Sequence, residues 1–308
     1  MKKIFPILIG IKGLKLTNEE KDFLTKNTPF GIVIFKRNIQ TKAQLKDLIS
    51  EIKNVTNNKT LTFIDQEGGL VDRLASGGIV EKGVFKPAFY FYEISQEKGL
   101  GFAKDEVFKQ FDHIGRELKE IGIDGDFAPV ADLFHPDADK VIGSRSFGPD
   151  VRVTIELCIA AIDGLHNNGI KACLKHVPGH GRARGDSHFT TPTVENSLAE
   201  LQETDFKVFR QLTSRVKSKA DFLMTAHVTY LCLDEKYPAT TSKKVIDFIR
   251  SDIGFNGQII TDCINMKGLQ GDVFEKAKQS FNAGCDIILY TIPDLENIGE
   301  IIAFLEER

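Results

Sequence analysis

The chain has 308 residues, of which 42% are hydrophobic and 27% charged, with a formal net charge of −3 at pH 7. This length is at the upper end of what one hydrophobic core supports and close to the size of an eight-fold α/β barrel. The lysines are spread along the chain, which excludes the basic stripe of a nucleic-acid-binding protein. We therefore expect a globular protein, monomeric, that binds neither nucleic acid nor a membrane.

The cysteines and the first residues indicate a reducing compartment. The five cysteines show no CxxC or metal-like spacing, and most lie in apolar runs, where free cysteine behaves as a small buried hydrophobe. The run Ile4–Ile11 follows two lysines, as in a signal peptide, but it contains Pro6 and precedes no small-residue cleavage site. We interpret it as a first strand and expect a cytoplasmic protein.

Short apolar runs alternate with amphipathic segments in chain order. The predicted strands are Ile4–Ile11, Gly31–Phe35, Leu61–Asp65, Asp126–Val130, Ile170–His176, Phe222–His227, Gln258–Asp262 and Asp286–Tyr290. The predicted helices are Lys42–Val55, Phe108–Ile121, Val151–Asn167, Leu198–Thr213, Ser242–Ile253, Val273–Ala283 and Leu295–Glu306. Residues suited to helix N-caps are Thr41, Thr241-Ser242 and Asp294. For the irregular stretch Leu74–Lys104 we expect a long loop or a partly ordered excursion.

The strands are continuous apolar runs, which is typical of a parallel sheet buried on both faces. Eight β–α repeats at this length favour closure into a barrel. Polar residues follow several strands, whereas an open sheet would concentrate its site at one switch point; these residues are Asp65, Asp132, Lys175, His176, His227 and Asp262. We predict an α/β fold in which residues 1–308 form a single (β/α)₈ TIM-barrel domain.

Two carboxylates stand directly after predicted strands, Asp262 after QIIT and Asp65 after LTFI. At the catalytic face of a barrel such a residue is placed to act as a nucleophile or base, although a lone aspartate there is equally suited to cap a helix. Paired carboxylates indicate sugar or phosphate chemistry. The chain lacks a Gly-rich phosphate loop, which argues against phosphate.

The segment KHVPGHGRARGDSH, residues 175–188, holds the densest set of polar residues. Pro178 and three glycines prevent a helix, so the segment is a loop leaving the strand that ends at His176. Asp186 and His188 are two residues apart, and a turn can place them side by side. A carboxylate beside an imidazole fixes its tautomer and raises its pKa, which makes it a proton donor near neutral pH. A purely structural Asp–His hydrogen bond is the alternative.

The same loop offers a possible metal site, formed by His176, His180, Asp186 and His188. However, Pro178 interrupts the helix that the spacing of His176 and His180 would need, and the neighbouring basic residues would repel a divalent cation. We therefore expect no metal and no cofactor.

Other polar and aromatic residues suit a sugar site. Arg73 and Arg145 each follow a predicted strand and offer fixed donor forks, although either could form a loop salt bridge. We favour a buried, hydrogen-bonded role for His227 over a supporting role in the site. Because the chain has no tryptophan, Phe189 or another of the 23 phenylalanines would have to form the sugar platform.

These blocks together resemble the family 3 glycoside hydrolases, and within them the short bacterial β-N-acetylhexosaminidases of the NagZ type. The resemblance runs in order from about Gly31 to Asp286, through GIVIFKRNI, IDQEGGLVDRL, FAPVADL, IGSRSFG, KHVPGHGRARGDSH, TAH, YPAT and IGFNGQIITD. It implies a retaining β-N-acetylglucosaminidase that removes terminal GlcNAc from peptidoglycan fragments in cell-wall recycling. A family 3 β-glucosidase, a β-N-acetylglucosaminide phosphorylase and a metal-dependent barrel hydrolase remain alternatives.

The resemblance also implies roles for individual residues. Asp262 is similar to the nucleophile, and His188 to the acid/base with Asp186 as its partner. The residues similar to those that bind the sugar hydroxyls are Asp65, Arg73, Arg145, Lys175 and His176.

The chain departs from the family pattern at two positions. Leu70 replaces the usual arginine of DQEGGRV, where we expect a local packing change, and Cys263 replaces a second aspartate. If that aspartate orients the nucleophile, activity is reduced; if it is only a neighbour, nothing is lost.

Overall fold

The computed structural model describes residues 3–184, 191–215 and 221–307. Eight parallel strands form a barrel: β1 (Ile4–Gly10), β2 (Thr28–Ile34), β3 (Leu61–Ile64), β4 (Gly125–Asp126), β5 (Lys171–Val177), β6 (Phe222–Thr225), β7 (Gln258–Ile260) and β8 (Ile288–Tyr290). Strands β1 to β7 pair with their neighbours in chain order, and β8 pairs with β1. A parallel bridge between Ile260 and Ile287 closes the ring. The predicted (β/α)₈ barrel is confirmed.

Helices cover the outside of the barrel. They are α1 (Asn18–Lys26), α2 (Lys42–Val55), α3 (Arg73–Ser76), α4 (Ala88–Lys98), α5 (Leu100–Ile121), α6 (Val151–His166), α7 (Leu198–Glu203), α8 (Asp205–Arg215), α9 (Lys243–Ser251), α10 (Val273–Ala283) and α11 (Leu295–Glu306). Short 3₁₀ turns lie at Lys36–Asn38, Gly143–Arg145 and Ala239–Thr241. The predicted caps Thr41, Ser242 and Asp294 each accept a first-turn N–H.

Several predicted elements were wrong in extent. The stretch Leu74–Lys104 is not a long loop, because it contains α4 and the start of α5. The helix predicted over Leu198–Thr213 is two helices, α7 and α8, which meet at Thr204. Its hydroxyl donates to the Glu200 carbonyl, and its ψ of −99° turns the chain away from helical geometry.

Packing is divided between the barrel interior and the layer under the helices. Phe63 fills the interior, stacked on Phe127 with ring centroids 5.1 Å apart. Neighbouring glycines make room for this ring, since a Cβ at Gly125 would lie 2.5 Å from Phe63 Cε1 and one at Gly31 3.0 Å from Phe63 Cδ2. The interior is therefore filled by side chains below the carboxyl ends of the strands.

All five cysteines are free thiols, and Cys158, Cys173 and Cys285 are buried, as expected. Within the described part of the chain, no helix combines the length and apolar character needed to cross a membrane. The first strand, β1, is an integral part of the barrel, where it pairs with β2 and β8.

Candidate active site

The carboxyl ends of the strands surround a cavity of about 310 Å³. Its lining includes six of the eight residues predicted for the site: Asp65, Arg73, Arg145, Lys175, His176 and Asp262. The remaining two, Asp186 and His188, lie outside the described residues. The structure thus brings the six residues together, while the role of each stays a prediction.

One wall of the cavity is a cluster of four charged residues, Asp65, Glu67, Arg145 and Lys175, called here the Lys175 cluster. Lys175 projects from β5 with its side chain only 2% exposed, and its Nζ lies 2.9 Å from Asp65 Oδ1 and 2.6 Å from Glu67 Oε1. Arg145 donates to both Glu67 oxygens, at 2.7 and 2.8 Å. The two cations and the two carboxylates of the cluster therefore compensate each other.

Electrostatic interactions within the cluster keep Glu67 and Lys175 charged. Burial raises the pKa of Glu67, but Arg145 and Lys175 outweigh it, and the net pKa lies far below the ordinary value. Burial lowers the pKa of Lys175, but Asp65 and Glu67 outweigh it, and the net pKa is raised. Lys175 therefore stays a cation and donor throughout the neutral range.

Glu67 was missed from the sequence, although a signal for it was present. Asp65 and Glu67 are two residues apart, and in extended backbone such residues point to the same side. Between them, the N–H of Gln66 donates to Oδ1 of the fully buried Asp126 at 2.9 Å. Asp126 therefore fixes the backbone from which both carboxylates of the Lys175 cluster project.

A second buried carboxylate, Asp132, holds the loop that follows β5. Its Oδ2 accepts from His176 Nδ1 at 2.7 Å, and its Oδ1 accepts from the N–H of His180 at 2.7 Å. Burial opposes ionisation of Asp132, but His176 and His180 outweigh it and lower its pKa. With Nδ1–H directed to Asp132, a neutral His176 ring keeps Nε2 as an acceptor.

Asp262 lies after β7, half-buried at the cavity. Its Oδ1 accepts the N–H of Cys263 at 2.7 Å, and Oδ2 accepts no hydrogen bond from the described residues. Burial raises the pKa of this carboxyl, but the imidazoles of His227 and His176 and the Cys263 N–H outweigh it, so that the net pKa is lowered. Asp262 is thus an ionised carboxylate with one oxygen available to react.

His227, after β6, is fully buried, and both of its ring nitrogens have partners. Nδ1 lies 2.7 Å from Thr240 Oγ1 and Nε2 lies 3.1 Å from the Cys263 carbonyl oxygen. This agrees with the hydrogen-bonded, inward-facing histidine expected from the sequence.

The cavity also has an aromatic ring beside two guanidinium groups. Phe35 lines the cavity, with Arg37 Cζ at 4.7 Å and Arg73 Cζ at 6.0 Å from its ring centroid. Arg73 Nε is buried and makes no hydrogen bond within the described residues. Phe35 and Phe127 are the described phenylalanines that line the cavity, whereas Phe189 lies outside the described residues.

The two departures from the family pattern have different settings. Leu70 is 79% exposed between the short strands Gln66–Gly68 and Val71–Asp72. Since so little of its side chain is packed, the packing change expected at this position is not found. Cys263 directs its thiol to Thr291 Oγ1, at 3.0 Å, and to Asn265. The backbone N–H of Cys263, and not its side chain, contacts the Asp262 carboxylate.

The loop after β5 is anchored on both sides of the undescribed residues. Gly181 lies so close to Leu133 that a Cβ would be 1.9 Å from the Leu133 carbonyl oxygen. Arg182 pairs with the buried Asp205 at 2.6 Å. Beyond residue 190, Thr191 Oγ1 donates to the Gly268 carbonyl at 2.8 Å, in the segment that follows Asp262. The described residues on either side of 185–190 are thus held by fixed contacts, one of them to the segment that follows Asp262.

Among residues 3–184, 191–215 and 221–307, no group of three histidine, cysteine or acidic side chains has the arrangement of a metal site. His176 and His180 do approach, with ring centroids 5.7 Å apart. The expectation of a metal-free site stays a prediction, since Asp186 and His188 belonged to the proposed ligand set.

Comparisons with known proteins point to one family. The family described as "Glycosyl hydrolase family 3 N terminal domain" matches residues 6–307. A β-hexosaminidase of Haemophilus influenzae is 34% identical over 288 residues, which cover 92% of this chain and 78% of that protein.

Solved structures agree. NagZ from Neisseria gonorrhoeae, in complex with N-trifluoroacetyl-D-glucosamine, is 34% identical with a TM-score of 0.86, covering 100% of this chain and 86% of that one. A family 3 β-N-acetylglucosaminidase from Paenibacillus sp. is 30% identical with a TM-score of 0.87. That match covers 97% of this chain and 56% of the Paenibacillus chain, so this chain spans little more than half of that length.

Proposed function

This chain belongs to glycosyl hydrolase family 3, and on that premise we propose that it is a retaining β-N-acetylglucosaminidase. The observation that carries the proposal is the ionised Asp262 carboxylate at the same cavity as the donors of the Lys175 cluster. The names of the similar proteins, β-hexosaminidase and NagZ, support the substrate class, a terminal β-linked N-acetylhexosamine.

The proposed reaction is a double displacement. Asp262 attacks the anomeric carbon while His188 donates a proton to the glycosidic oxygen, so that the C–O bond breaks and a covalent glycosyl ester forms. Water, deprotonated by His188, then attacks the same carbon and releases Asp262. Asp186 orients the His188 imidazole and stabilises its cationic form. The hydrogen bond from Thr191 to the segment that follows Asp262 supports this assignment.

In this proposal the Lys175 cluster, with Arg73 and His176, holds the sugar hydroxyls. Lys175 and Arg145 offer charged donors, and Asp65 offers a carboxylate acceptor. Arg73 Nε and His176 complete the polar lining. Because the charged groups are already paired with one another, they need little rearrangement when a sugar enters.

We further propose a monomeric, cytoplasmic enzyme without cofactor, which acts in cell-wall recycling. Its substrate would be a peptidoglycan fragment in which GlcNAc is joined β-1,4 to an anhydro-muramic acid carrying a peptide. The similarity to NagZ supports this assignment.

Leaving-group dependence tests the proposal. Wild type and His188→Ala are assayed on an aryl β-GlcNAc, an aryl β-glucoside and a β-1,4-linked GlcNAc disaccharide. We expect wild type to prefer the GlcNAc glycosides. General acid assistance is typically worth about 10²–10⁴-fold. In kcat/KM, which reports formation of the glycosyl-enzyme, His188→Ala should therefore lose that much on the disaccharide and far less on the aryl glycoside, whose leaving group needs little protonation.

Product analysis separates the alternatives. Free GlcNAc with retained β-configuration supports hydrolysis, whereas a sugar phosphate formed in phosphate buffer indicates a phosphorylase. Preference for the β-glucoside would move the assignment to a β-glucosidase, and activity lost in EDTA and restored by Zn²⁺ would indicate a metal hydrolase. Equal losses of kcat/KM in His188→Ala on both GlcNAc substrates would reject proton donation by His188 to the leaving group.

A further inference from the structure

Three fully buried side chains link the two ends of the Asp262–Cys263 segment, and the assigned chemistry does not use them. The N–H of Asp262 donates to Thr225 Oγ1 at 3.3 Å, and Thr225 Oγ1 lies 2.7 Å from Thr240 Oγ1. Thr240 Oγ1 lies 2.7 Å from His227 Nδ1, and His227 Nε2 lies 3.1 Å from the Cys263 carbonyl oxygen. These contacts form a closed ring, called here the Thr–His ring.

The position of each hydrogen in the Thr–His ring can be worked out from the Cys263 carbonyl, which can only accept. A carbonyl oxygen only accepts, so His227 Nε2 carries the proton directed to Cys263. Burial lowers the pKa of His227, so the imidazole is neutral at pH 7 and Nδ1 carries no proton there. The imidazole ring is charged only in more acidic solution, where it lowers the pKa of Asp262.

Nδ1 must then accept from the Thr240 hydroxyl. That hydroxyl also lies 3.1 Å from the Ala226 carbonyl, the longer of its two acceptor contacts. Having donated its single hydrogen to Nδ1, Thr240 accepts from Thr225, and Thr225 in turn accepts from Asp262. All donors therefore point in one direction around the ring.

The ring holds the backbone on both sides of the reacting carboxylate. It starts at the N–H of Asp262 and ends at the carbonyl of Cys263. The N–H of Cys263 in turn donates to Asp262 Oδ1. Thr225, Thr240 and His227 are all 0% exposed, so no water replaces a lost link. The ring carries no net charge, and it constrains the carboxylate without pairing with it.

We propose that Thr225, Thr240 and His227 are positioning residues, which hold Asp262 at the angle and height from which it attacks the anomeric carbon. This inference rests on the proposed role of Asp262 as nucleophile. The sugar is held by the Lys175 cluster on the other wall, so the ring contributes to the attack and not to sugar binding.

The test removes one link without changing side-chain shape. Thr240→Val loses the central hydroxyl, and Thr240→Ser retains it. The control is Thr60→Val: Thr60 is also fully buried, and its hydroxyl donates to the Pro29 carbonyl at the amino end of β3, far from Asp262.

We expect Thr240→Val to lower the rate of glycosyl-enzyme formation about 10–100-fold, the scale on which small misplacement of a reacting group acts. The inhibition constant of GlcNAc should stay unchanged, and Thr240→Ser should recover most of the rate. Thr60→Val should lower the melting temperature without lowering the rate.

Two results would overturn the inference. One is a rate for folded Thr240→Val equal to that of Thr60→Val, which would make the ring a packing feature only. The other is an ¹⁵N NMR spectrum of wild type that places the His227 proton on Nδ1, with the signal assigned by its loss in His227→Gln. This second measurement needs no folded threonine variant. Retained activity in Asp262→Ala would instead reject the proposed nucleophile, a different outcome from either.

Discussion

The two walls of the cavity hold carboxylates in opposite ways. In the Lys175 cluster, Glu67 is paired with two cations at 2.6 to 2.8 Å and its pKa is strongly lowered. On the other wall, Asp262 receives one backbone N–H, and the groups behind it are hydroxyls and a neutral imidazole.

This difference separates binding from reaction. A carboxylate neutralised by two cations is a poor nucleophile, but it fixes donors where sugar hydroxyls must be recognised. A carboxylate held through its backbone keeps an oxygen free to form a bond. Both carboxylates lie at the carboxyl ends of barrel strands, and they differ in the groups that surround them.

The largest expected effect is the loss of the reacting carboxylate. Asp262→Ala should lower kcat by roughly 10⁴-fold or more while the barrel stays folded, as when a nucleophile is removed from a cooperating set. Added azide should enter the vacated space, restore cleavage of an activated aryl β-GlcNAc and give the α-glycosyl azide. Kinetics with product analysis by NMR measure both effects.

A matched control is Asp272→Ala, which removes the N-cap carboxylate of α10 and should leave the rate unchanged. A circular-dichroism melt of both variants checks folding. Activity of Asp262→Ala above a tenth of wild type would contradict the nucleophile assignment.

The next effect is expected in the Lys175 cluster. Glu67→Gln leaves Lys175 and Arg145 with one carboxylate and breaks the buried Lys175–Glu67 pair, and breaking a buried ion pair costs about 3–5 kcal/mol. The free energy of unfolding should fall by that order, and GlcNAc should bind more weakly because Lys175 and Arg145 lose their fixed positions. Denaturant titration and inhibition constants report the two changes.

Glu203→Gln is the control for this variant. Glu203 pairs with Lys207 on the exposed face of the helices, where an ion pair contributes little to stability. If Glu67→Gln proved as stable as Glu203→Gln, the Lys175 cluster would not be held by charge.

The smallest effect concerns Asp126, whose Oδ2 has no hydrogen-bond partner in the described residues. Burial raises its pKa well above the ordinary value, outweighing the Gln66 N–H and Lys175. A raised folded-state pKa adds stability below the unfolded-state pKa of about 4, and this contribution is lost as pH rises through the folded-state pKa. Asp126→Asn, neutral at every pH, should therefore be more stable than wild type at pH 7 and similar to it at pH 4.

Unfolding free energies at the two pH values provide the measurement. The difference between variant and wild type isolates Asp126 from other titrating groups, since these are common to both proteins. A difference that does not change with pH would show that Asp126 is ionised in the folded protein.

The sequence predicted the barrel because most of its strands are continuous apolar runs, which can be recognised from the sequence alone. It missed α1, although Thr17 and Glu20 form the spacing of a capping box that the structure contains. It also missed α4, because consecutive aromatics such as Phe89, Tyr90 and Phe91 give no helical stripe.

Site residues were predictable where a strand end exposes them, as at Asp65, Lys175 and Asp262. The Thr–His ring was not predictable in the same way. Thr240 comes from a 3₁₀ turn fifteen residues after Thr225, and only the closed barrel brings it between Thr225 and His227. A threonine in such a segment has no local pattern that distinguishes it from a helix cap or a turn residue.

The stacked rings of Phe63 and Phe127 close the bottom of the cavity, which is therefore open only at the carboxyl ends of the strands. Phe127 lines the cavity and Phe63 stacks on it, so a polymer cannot be threaded through the barrel. In the proposed reaction the two products must also leave by the entrance, one behind the other. The aglycone has to depart before water can reach the anomeric carbon, so the order of release is dictated by the shape of the barrel interior.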